Sequence, residues 1–234
     1  CVIFGFHDGK LKVLLNKYRD NDFWMLPGGF VLKDEDVDDA AIRILKSRTG
    51  LDRIYLRQCH LFGAKSRINY DLVKQVLIKN DIPLETDGKK HWLLERFVSM
   101  SYYSLVESAK VIIQPTEHEL SDWVMLDELP ALYADHKTII ETAISSIRSQ
   151  MGSLPIGYEL LPERFTMSSL RLIYEAIIGE KLDRRNFQRK ILSTGLVSKL
   201  EEKSKKKGVK SASLFSFNTN NYKIAEKKGM SFWR

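Results

Sequence analysis

One stretch, Gly28 to Leu51, constrains the fold of this chain more than any other. It follows an extended run, Phe23 to Pro27, and opens on two consecutive glycines. An acidic turn at 34–36 leads into a segment whose apolar residues recur at the spacing of one helix face, and these residues are Val37, Ala41, Ile44 and Leu45. Gly50 is placed to end that helix in the left-handed conformation that glycine tolerates. The pattern predicts a glycine turn followed by an amphipathic helix.

This stretch resembles the Nudix box, whose pattern is G-x5-E-x7-R-E-U-x-E-E-x-G-U, with U an aliphatic residue. Counted from Gly29, the matching positions are Glu35, Arg43, Leu45, Gly50 and Leu51. The three helix acids of the pattern are replaced here by Ile44, Ser47 and Arg48.

The three replacements bear directly on the chemistry. Nudix hydrolysis uses clustered carboxylates to hold magnesium, which bridges phosphates and activates water. Arg48 would place a positive charge beside that cation, and two like charges about 4 Å apart repel by roughly 4 kcal/mol at an effective dielectric near 20. We therefore expect a Nudix fold that binds a ligand, with no catalytic residue, no metal site and no cofactor.

The charge is unevenly distributed along the chain. The net charge is +7. Residues 155–234 carry 17 Lys and Arg against 8 Asp and Glu, a net +9, which leaves −2 for the first 154 residues. A near-neutral N-terminal part and a basic C-terminal part indicate two domains. The basic charge of the second domain indicates that its partner is nucleic acid. A merely soluble basic surface is the alternative.

Other classes of protein are disfavoured by composition. The chain has no run of 18 apolar residues, so no transmembrane helix and no membrane partner are expected. Its two cysteines, Cys1 and Cys59, lack metal-ligand spacing, which favours a reduced, cytoplasmic protein. Because the chain begins inside an apolar extended run without Met, we expect a preceding segment.

The front of the chain reads as strands and helices in the order of an α/β/α sandwich. A hairpin is predicted over residues 1–15, a strand over 53–65, a short helix over 70–78 and a long strand over 96–106. A short strand at 123–126 and a helix at 137–148 follow. The segment from Trp123 to Ile140 is similar to the closing segment of ADP-ribose pyrophosphatases of the Nudix family. The Nudix-like domain is assigned to residues 1–150 and a Gly/Pro-containing linker to 151–157.

Residues 158–234 are predicted to form a winged helix-turn-helix domain. Thr166 is a good N-cap for a helix that ends at Gly179, and Asp183 is a second N-cap for the helix Arg184 to Ser193. Two strands are predicted at 197–200 and 212–217, with a lysine-rich loop between them. Helix-turn-helix plus basic hairpin is the layout in which the second helix enters the major groove and the wing contacts phosphates.

The candidate DNA-binding residues share exposed positions on the second helix and the wing. Arginine pairs bidentately with guanine and asparagine with adenine, each good pair adding about 1–3 kcal/mol of discrimination. Taken alone, each set is also compatible with a solvated charged surface. The candidates are Arg184, Arg185, Asn186, Arg189, Lys190, Lys203, Lys205, Lys206, Lys207 and Lys210.

The domain order resembles the Nudix-related transcriptional regulators of the NrtR family, with the run from Leu182 to Leu192 as its most specific part. The resemblance implies a homodimeric regulator, expected to be a repressor, on a near-palindromic double-stranded DNA operator. It further implies a small-molecule effector in the Nudix domain. Some members bind ADP-ribose and govern NAD metabolism. A branch in Bacteroidetes that responds to L-arabinose resembles this chain in its Tyr/Trp-rich insertion, and we favour it.

The candidate effector-binding residues are of two kinds. Lys65, Arg67 and Arg96 could bind the pyrophosphate of ADP-ribose. A sugar needs an aromatic platform and carboxylates, which could come from Trp24, Glu35, Glu95, Trp92 and Tyr102. Core packing is an alternative for Trp24 and Tyr102, and helix stabilisation for Glu35.

Two other functions stay open. A hydrolase could use Asp34, Glu35, Asp38 and Asp39 for metal, although these acids precede or begin the helix. A ligand-binding adaptor would not touch DNA at all. For a regulator, we expect effector binding to alter the linker or the dimer packing and so the spacing of two recognition helices.

Overall fold

The computed structural model describes residues 1–7, 9–19, 21–51, 55–67, 69–113, 119–151, 156–203 and 211–228, with side chains to residue 224. The strands are β1 (Val2–His7), β2 (Lys10–Tyr18), β3 (Tyr55–Phe62), β4 (Glu85–Thr86), β5 (Lys89–Lys90), β6 (Ser99–Val106), β7 (Glu119–Met125), β8 (Phe165–Thr166), β9 (Val197–Lys203) and β10 (Ser213–Phe217). The helices are α1 (Val37–Thr49), α2 (Tyr70–Lys79), α3 (His136–Gln150), α4 (Met167–Ile178), α5 (Arg184–Ser193) and α6 (Thr219–Lys228). Among these helices, none combines the length and the apolar character needed to cross a membrane.

The front of the chain is built on a mixed five-stranded sheet in the order β3-β6-β1-β2-β7. The hairpin β1–β2 is antiparallel, β1 pairs with β6 in parallel, and β2 pairs antiparallel with β7 from Lys12 to Tyr18. Strand β7 is longer than the sequence indicates, since it begins at Glu119, and β6 begins only at Ser99.

Alternate residues of the central strands bury opposite faces of the sheet, as expected for period-two side chains. Ile3 and Leu14 pack with Leu45 of α1 on one face. Phe4 and Val13 belong to the cluster that contains the buried residues of α3 on the other. The α/β/α sandwich expected from the sequence is therefore present.

Most of the apolar stripe predicted for helix α1 is buried, but the prediction is wrong for Val37. Ala41, Ile44 and Leu45 are buried, but Val37 is 44% exposed at the first turn. Ala40, which was not part of the predicted stripe, is buried. Gly50 adopts the left-handed conformation, with φ of 69°, and ends the helix as expected.

The back of the chain forms a winged helix. Helices α4 and α5 are followed by β9 and β10, and β10 also pairs with the two-residue strand β8, which the sequence did not predict. Helix α6 was likewise not predicted. The wing loop, residues 204–210, lies outside the described residues.

The sandwich and the winged helix share one hydrophobic cluster. It contains buried residues of β1, β2 and α3 together with Leu170, Ile173 and Ile177 of α4. Met151 and Ile156, which flank residues 152–155, belong to the same cluster, and those four residues lie outside the described part of the chain. The described ends of the expected linker are therefore packed in the core and not exposed to solvent.

Candidate nucleic-acid interface and effector domain

Helix α5 is positioned by its own cap and by a buried face. Asp183 accepts a hydrogen bond from the backbone N–H of Asn186 (2.8 Å), which satisfies a donor left free at the helix start. Phe187 and Ile191 are buried, and the Phe187 ring meets Tyr174 of α4 edge to face at 5.3 Å. The opposite face of α5 is thereby directed to solvent.

The outward face of α5 carries most of the candidate DNA-binding residues. Arg184, Arg185, Asn186 and Arg189 are exposed, and Lys190 is partly buried. Arg189 donates to the Asn186 side chain (3.0 Å), so this Asn oxygen is engaged within the helix. Four of these five residues are therefore accessible on a capped helix, and their contacts with DNA stay a prediction.

The wing is only partly described. Lys203 is exposed at the end of β9, opposite Ser213 of β10. The candidates Lys205, Lys206, Lys207 and Lys210 lie outside the described residues. Strand β9 also carries two acids, Glu201 and Glu202, and Glu202 pairs with Arg164 (2.6 Å). The described part of the wing is thus mixed in charge.

Glu35 and Arg43, the two matching charged positions of the box, pair with each other. The Arg43 guanidinium donates to both carboxylate oxygens (2.6 and 2.8 Å) and to the Phe30 carbonyl (2.9 Å), while Glu35 accepts from the Leu32 N–H. These hydrogen bonds hold the pKa of Glu35 well below its usual range, at about 2. Glu35 therefore shapes the loop after the glycine turn, and this role competes with the effector contact expected from the sequence.

None of the three missing box acids is replaced by another carboxylate. Ile44 is buried, and the Ser47 hydroxyl donates to the Ile44 carbonyl (2.7 Å). Arg48 forms an ion pair with Glu119, a buried carboxylate that also accepts from the Asn16 side chain (3.0 Å). A guanidinium thus lies beside the carboxylate at this end of α1, where a metal would need an unpaired ligand.

Two of the acids named for a rival hydrolase are engaged within the fold. Asp38 accepts a hydrogen bond from the Tyr102 hydroxyl, and Glu35 is paired with Arg43. Over the described residues, no group of three or more His, Cys, Asp or Glu side chains is arranged to hold a metal ion.

Arg67, a candidate for an effector phosphate, is used within the fold. Its guanidinium donates to Asp135 (3.0 and 3.3 Å), to the carbonyls of Phe62 and Phe97, and to the Ser99 hydroxyl (2.7 Å). All three nitrogens are engaged, so Arg67 joins the end of β3 to the start of β6 and α3. This structural role competes with the effector contact expected from the sequence, which stays a prediction.

The remaining effector candidates differ in how far they are exposed. Trp24 is partly buried, packs against the main hydrophobic cluster and exchanges backbone hydrogen bonds with residues 131–133, which favours the core-packing alternative. Lys65, Glu95 and Arg96 are exposed. Glu95 and Arg96 connect the turn Trp92–Leu94 to Phe97.

An exposed aromatic group was not recognised as a unit from the sequence. Phe30, Trp92 and Phe97 lie within 6.0 Å of one another by ring centroid, with Phe30 56% and Trp92 50% exposed. Because Phe30 is more than 60 residues from the other two, no local pattern could have shown this cluster. Through it, Phe30 in the loop after the glycine turn contacts the segment that carries Trp92 and Phe97.

Comparison with known proteins matches both halves of the chain. The NUDIX domain model matches residues 1–143, and the model for the NrtR DNA-binding winged helix domain matches residues 157–217. The ADPR responsive transcriptional repressor NtrR of Acinetobacter baylyi is 28% identical over 230 residues, covering 94% of this chain and 81% of that protein. An RNA pyrophosphohydrolase of Wolbachia from Brugia malayi is 26% identical over 157 residues, covering 63% of this chain and 91% of that protein.

A solved structure shares the two-domain fold. Shewanella oneidensis NrtR, in a crystal structure with a 27mer DNA, superimposes with a TM-score of 0.70 at 23% identity, covering 95% of this chain and 93% of that one. At this identity the likeness concerns the fold alone.

Proposed function

This chain belongs to the NUDIX domain family, and on that premise we propose that it is a DNA-binding transcriptional repressor whose sandwich senses a small molecule. The observation that carries the proposal is helix α5, a capped and packed helix whose outward face carries Arg184, Arg185 and Arg189. The winged helix match and the repressor from Acinetobacter baylyi support the same function. As a homodimer, two such helices would enter successive major grooves of a near-palindromic operator, about 34 Å apart.

Binding to DNA can be tested with a duplex that the protein selects from a random library. Arg185→Ala should weaken binding to that duplex about 5- to 150-fold, the range for one lost base contact of about 1–3 kcal/mol. The matched control is Lys74→Ala, which removes an exposed charge from α2 of the sandwich. Fluorescence anisotropy that gives equal affinity for both variants and wild type would contradict the role of α5.

We further propose that the sandwich does not hydrolyse its ligand. The ion pair of Arg48 with Glu119 and the buried Ile44 support this, because neither leaves carboxylate oxygens for magnesium at two of the three box positions. Because the chain is also similar to an RNA pyrophosphohydrolase, hydrolysis has to be measured directly. Magnesium-dependent release of AMP from ADP-ribose by the wild-type protein would overturn this part of the proposal.

For the effector we propose a pentose, L-arabinose. The exposed rings of Phe30 and Trp92 support it, since sugars stack their apolar faces on aromatic rings. Glu95, whose backbone N–H donates to the Trp92 carbonyl (3.0 Å), is exposed and could accept from sugar hydroxyl groups. ADP-ribose is the second candidate because the Acinetobacter relative responds to it. Lys65 and Arg96, both exposed, would then be the first cations to test against its pyrophosphate.

Calorimetric titration without metal separates the two effectors. L-arabinose should bind the wild-type protein, and Trp92→Ala should weaken binding more than Trp92→Phe, which keeps a stacking face. Tyr70→Ala, which removes an exposed aromatic ring on α2, is the control. Binding of ADP-ribose alone would assign the protein to the second candidate, and binding of neither would contradict both effector assignments while leaving DNA binding as a separate test.

A further inference from the structure

The last turn of α3, in the sandwich, contacts the end of the helix that precedes α5. Arg148 donates from Nε to the carbonyl of Ile177 (2.5 Å), one of the carbonyls that a helix leaves unsatisfied at its C-terminus. A Cβ added at Gly179 would lie 3.7 Å from Nη2 of Arg148, so the guanidinium lies against the residue that ends α4. A positive charge there is also favourable to the helix dipole.

The turn after Gly179 is held by a second charged group within the winged helix. Arg171 and Glu175 form an ion pair on α4, and Glu175 is only 7% exposed. Glu175 accepts from the Leu182 N–H (2.7 Å), and Arg171 donates to the Leu182 carbonyl (3.3 Å). Both backbone groups of Leu182 are thus bound immediately before Asp183, the N-cap of α5.

Helices α4 and α5 are linked by packing and by hydrogen bonds in the turn between them, and we call them the α4–α5 unit. Tyr174 and Phe187 pack between them, the turn between them is bound by Arg171 and Glu175, and α5 is capped by Asp183. The unit packs on the sandwich through Leu170, Ile173 and Ile177 of α4, which belong to the shared hydrophobic cluster. On this unit, Arg148 is the side chain of α3 whose hydrogen bond reaches the C-terminal end of α4.

We propose that Arg148 is a positioning residue for DNA recognition, orienting the α4–α5 unit on the sandwich so that the exposed face of α5 is set for base contacts. The inference rests on the proposed function of α5. Bidentate base contacts need defined geometry, whereas phosphate contacts tolerate small rotations of the protein. Loss of Arg148 should therefore reduce specific binding more than non-specific binding.

The test compares the affinity of the full chain for the duplex it selects from a random library with its affinity for a scrambled duplex of equal length and composition. Arg148→Ala should lower the ratio of the two affinities about fivefold or more, at the lower end of typical coupling between sites. Arg148→Lys, which keeps a charge near the helix terminus, should restore part of the ratio. Lys137→Ala, an exposed residue at the other end of α3, is the matched control and should leave the ratio unchanged.

A residue that only stabilises the fold would behave differently. It would change the thermal midpoint and the folded fraction, measured by circular dichroism, but at temperatures where each variant is folded its affinity ratio would equal that of the wild type. An unchanged ratio for Arg148→Ala, or an equal fall of both affinities, would overturn this inference alone. A wild-type protein that enriches no sequence from the library would overturn the proposed function, and this inference with it.

Discussion

At the scale of single residues, Arg48 has the clearest chemical consequence. It stands at the last acidic position of the box pattern and is partnered by Glu119, 71 residues away in sequence. Glu119 is 6% exposed and is also bound by Asn16, so the pair is part of a buried polar network. A buried pair of this kind stabilises little by itself, but breaking it leaves a charge without a partner.

Replacing Arg48 by Ala should lower the free energy of unfolding by about 3 kcal/mol, because the Glu119 carboxylate would stay buried and lose its ion-pair partner. Urea denaturation at pH 7 measures the change. The double variant Arg48→Met, Glu119→Gln removes both charges, keeps an acceptor for Asn16, and should recover most of the loss. Equal losses in the single and double variants would show that burial of the unpaired charge is not the cause.

His136 gives the structure a pH dependence of definite sign. Its Nδ1 accepts a hydrogen bond from the Leu26 N–H (2.9 Å), and burial lowers the pKa of the imidazole to about 4. An unfolded histidine has a pKa near 6.5, so between pH 6.5 and 4 the unfolded chain binds more protons than the folded one. Stability should therefore fall as the pH drops through this window, by roughly 3 kcal/mol in total from this residue.

The variant His136→Asn isolates that contribution. Its side-chain oxygen can accept from Leu26 but does not titrate, so its stability should fall less than that of the wild type between pH 6.5 and 4. Urea denaturation at several pH values in this window gives the difference. Parallel curves for the two proteins would contradict the assignment to His136.

At the scale of elements, α5 depends on its first turn. Asp183 both accepts the cap hydrogen bond and follows Leu182, whose backbone is held by the Arg171–Glu175 pair. The helix has no acid in its first turn and begins with two arginines, which are unfavourable near the positive end of the helix dipole. The Asp183 cap therefore offsets the unfavourable interaction of these arginines with the helix dipole. The same arginines suit the binding of an anionic partner.

Asp183→Ala should lower the free energy of unfolding by about 1 kcal/mol, the usual cost of losing an N-cap. Asp183→Asn keeps the capping oxygen and should restore most of that loss. Thermal unfolding of the two variants measures the effect. An Asn variant as unstable as the Ala variant would mean that the negative charge, and not the cap hydrogen bond, holds this turn.

At the scale of the whole molecule, the two domains share a packed boundary. Gly157 lies at the start of the winged helix, where a Cβ would be 2.3 Å from Cδ1 of Leu170, which is 1% exposed. Nearby, Tyr158 stacks on Tyr222 of α6 at 4.2 Å, and Tyr103 of β6 donates to Gln150 (2.9 Å). Such continuity predicts that the described sandwich and winged helix unfold together.

Gly157→Ala should destabilise the protein by about 1–3 kcal/mol, because the added methyl group enters a core with no room for it. Scanning calorimetry should show one transition in both proteins, shifted to lower temperature in the variant. Gly63→Ala is the matched control, since a Cβ there would meet Val98 at an ordinary 3.7 Å. Two separate transitions, with only one shifted, would show that the domains unfold independently.

Much of the fold was predictable because it depends on residues close together in sequence. The start and end of α5, the caps Thr166 and Asp183, and the left-handed Gly50 were all expected from patterns spanning a few positions. Strand β8 escaped prediction because two residues carry no periodic pattern. The burial of Met151 and Ile156 was missed because Gly and Pro in a short segment are also typical of exposed linkers.

The sequence by itself determined most of the elements, the order of the two domains and the absence of three acids from the box, because each is a property of local spacing and residue type. Only the tertiary structure decided which charged side chains are available to a ligand. Arg67 and Glu35 are engaged with Asp135 and Arg43, whereas Arg185 on α5 is exposed. The physical reason is that a hydrogen bond or ion pair depends on groups brought within about 3 Å by the fold, often from residues far apart in the chain.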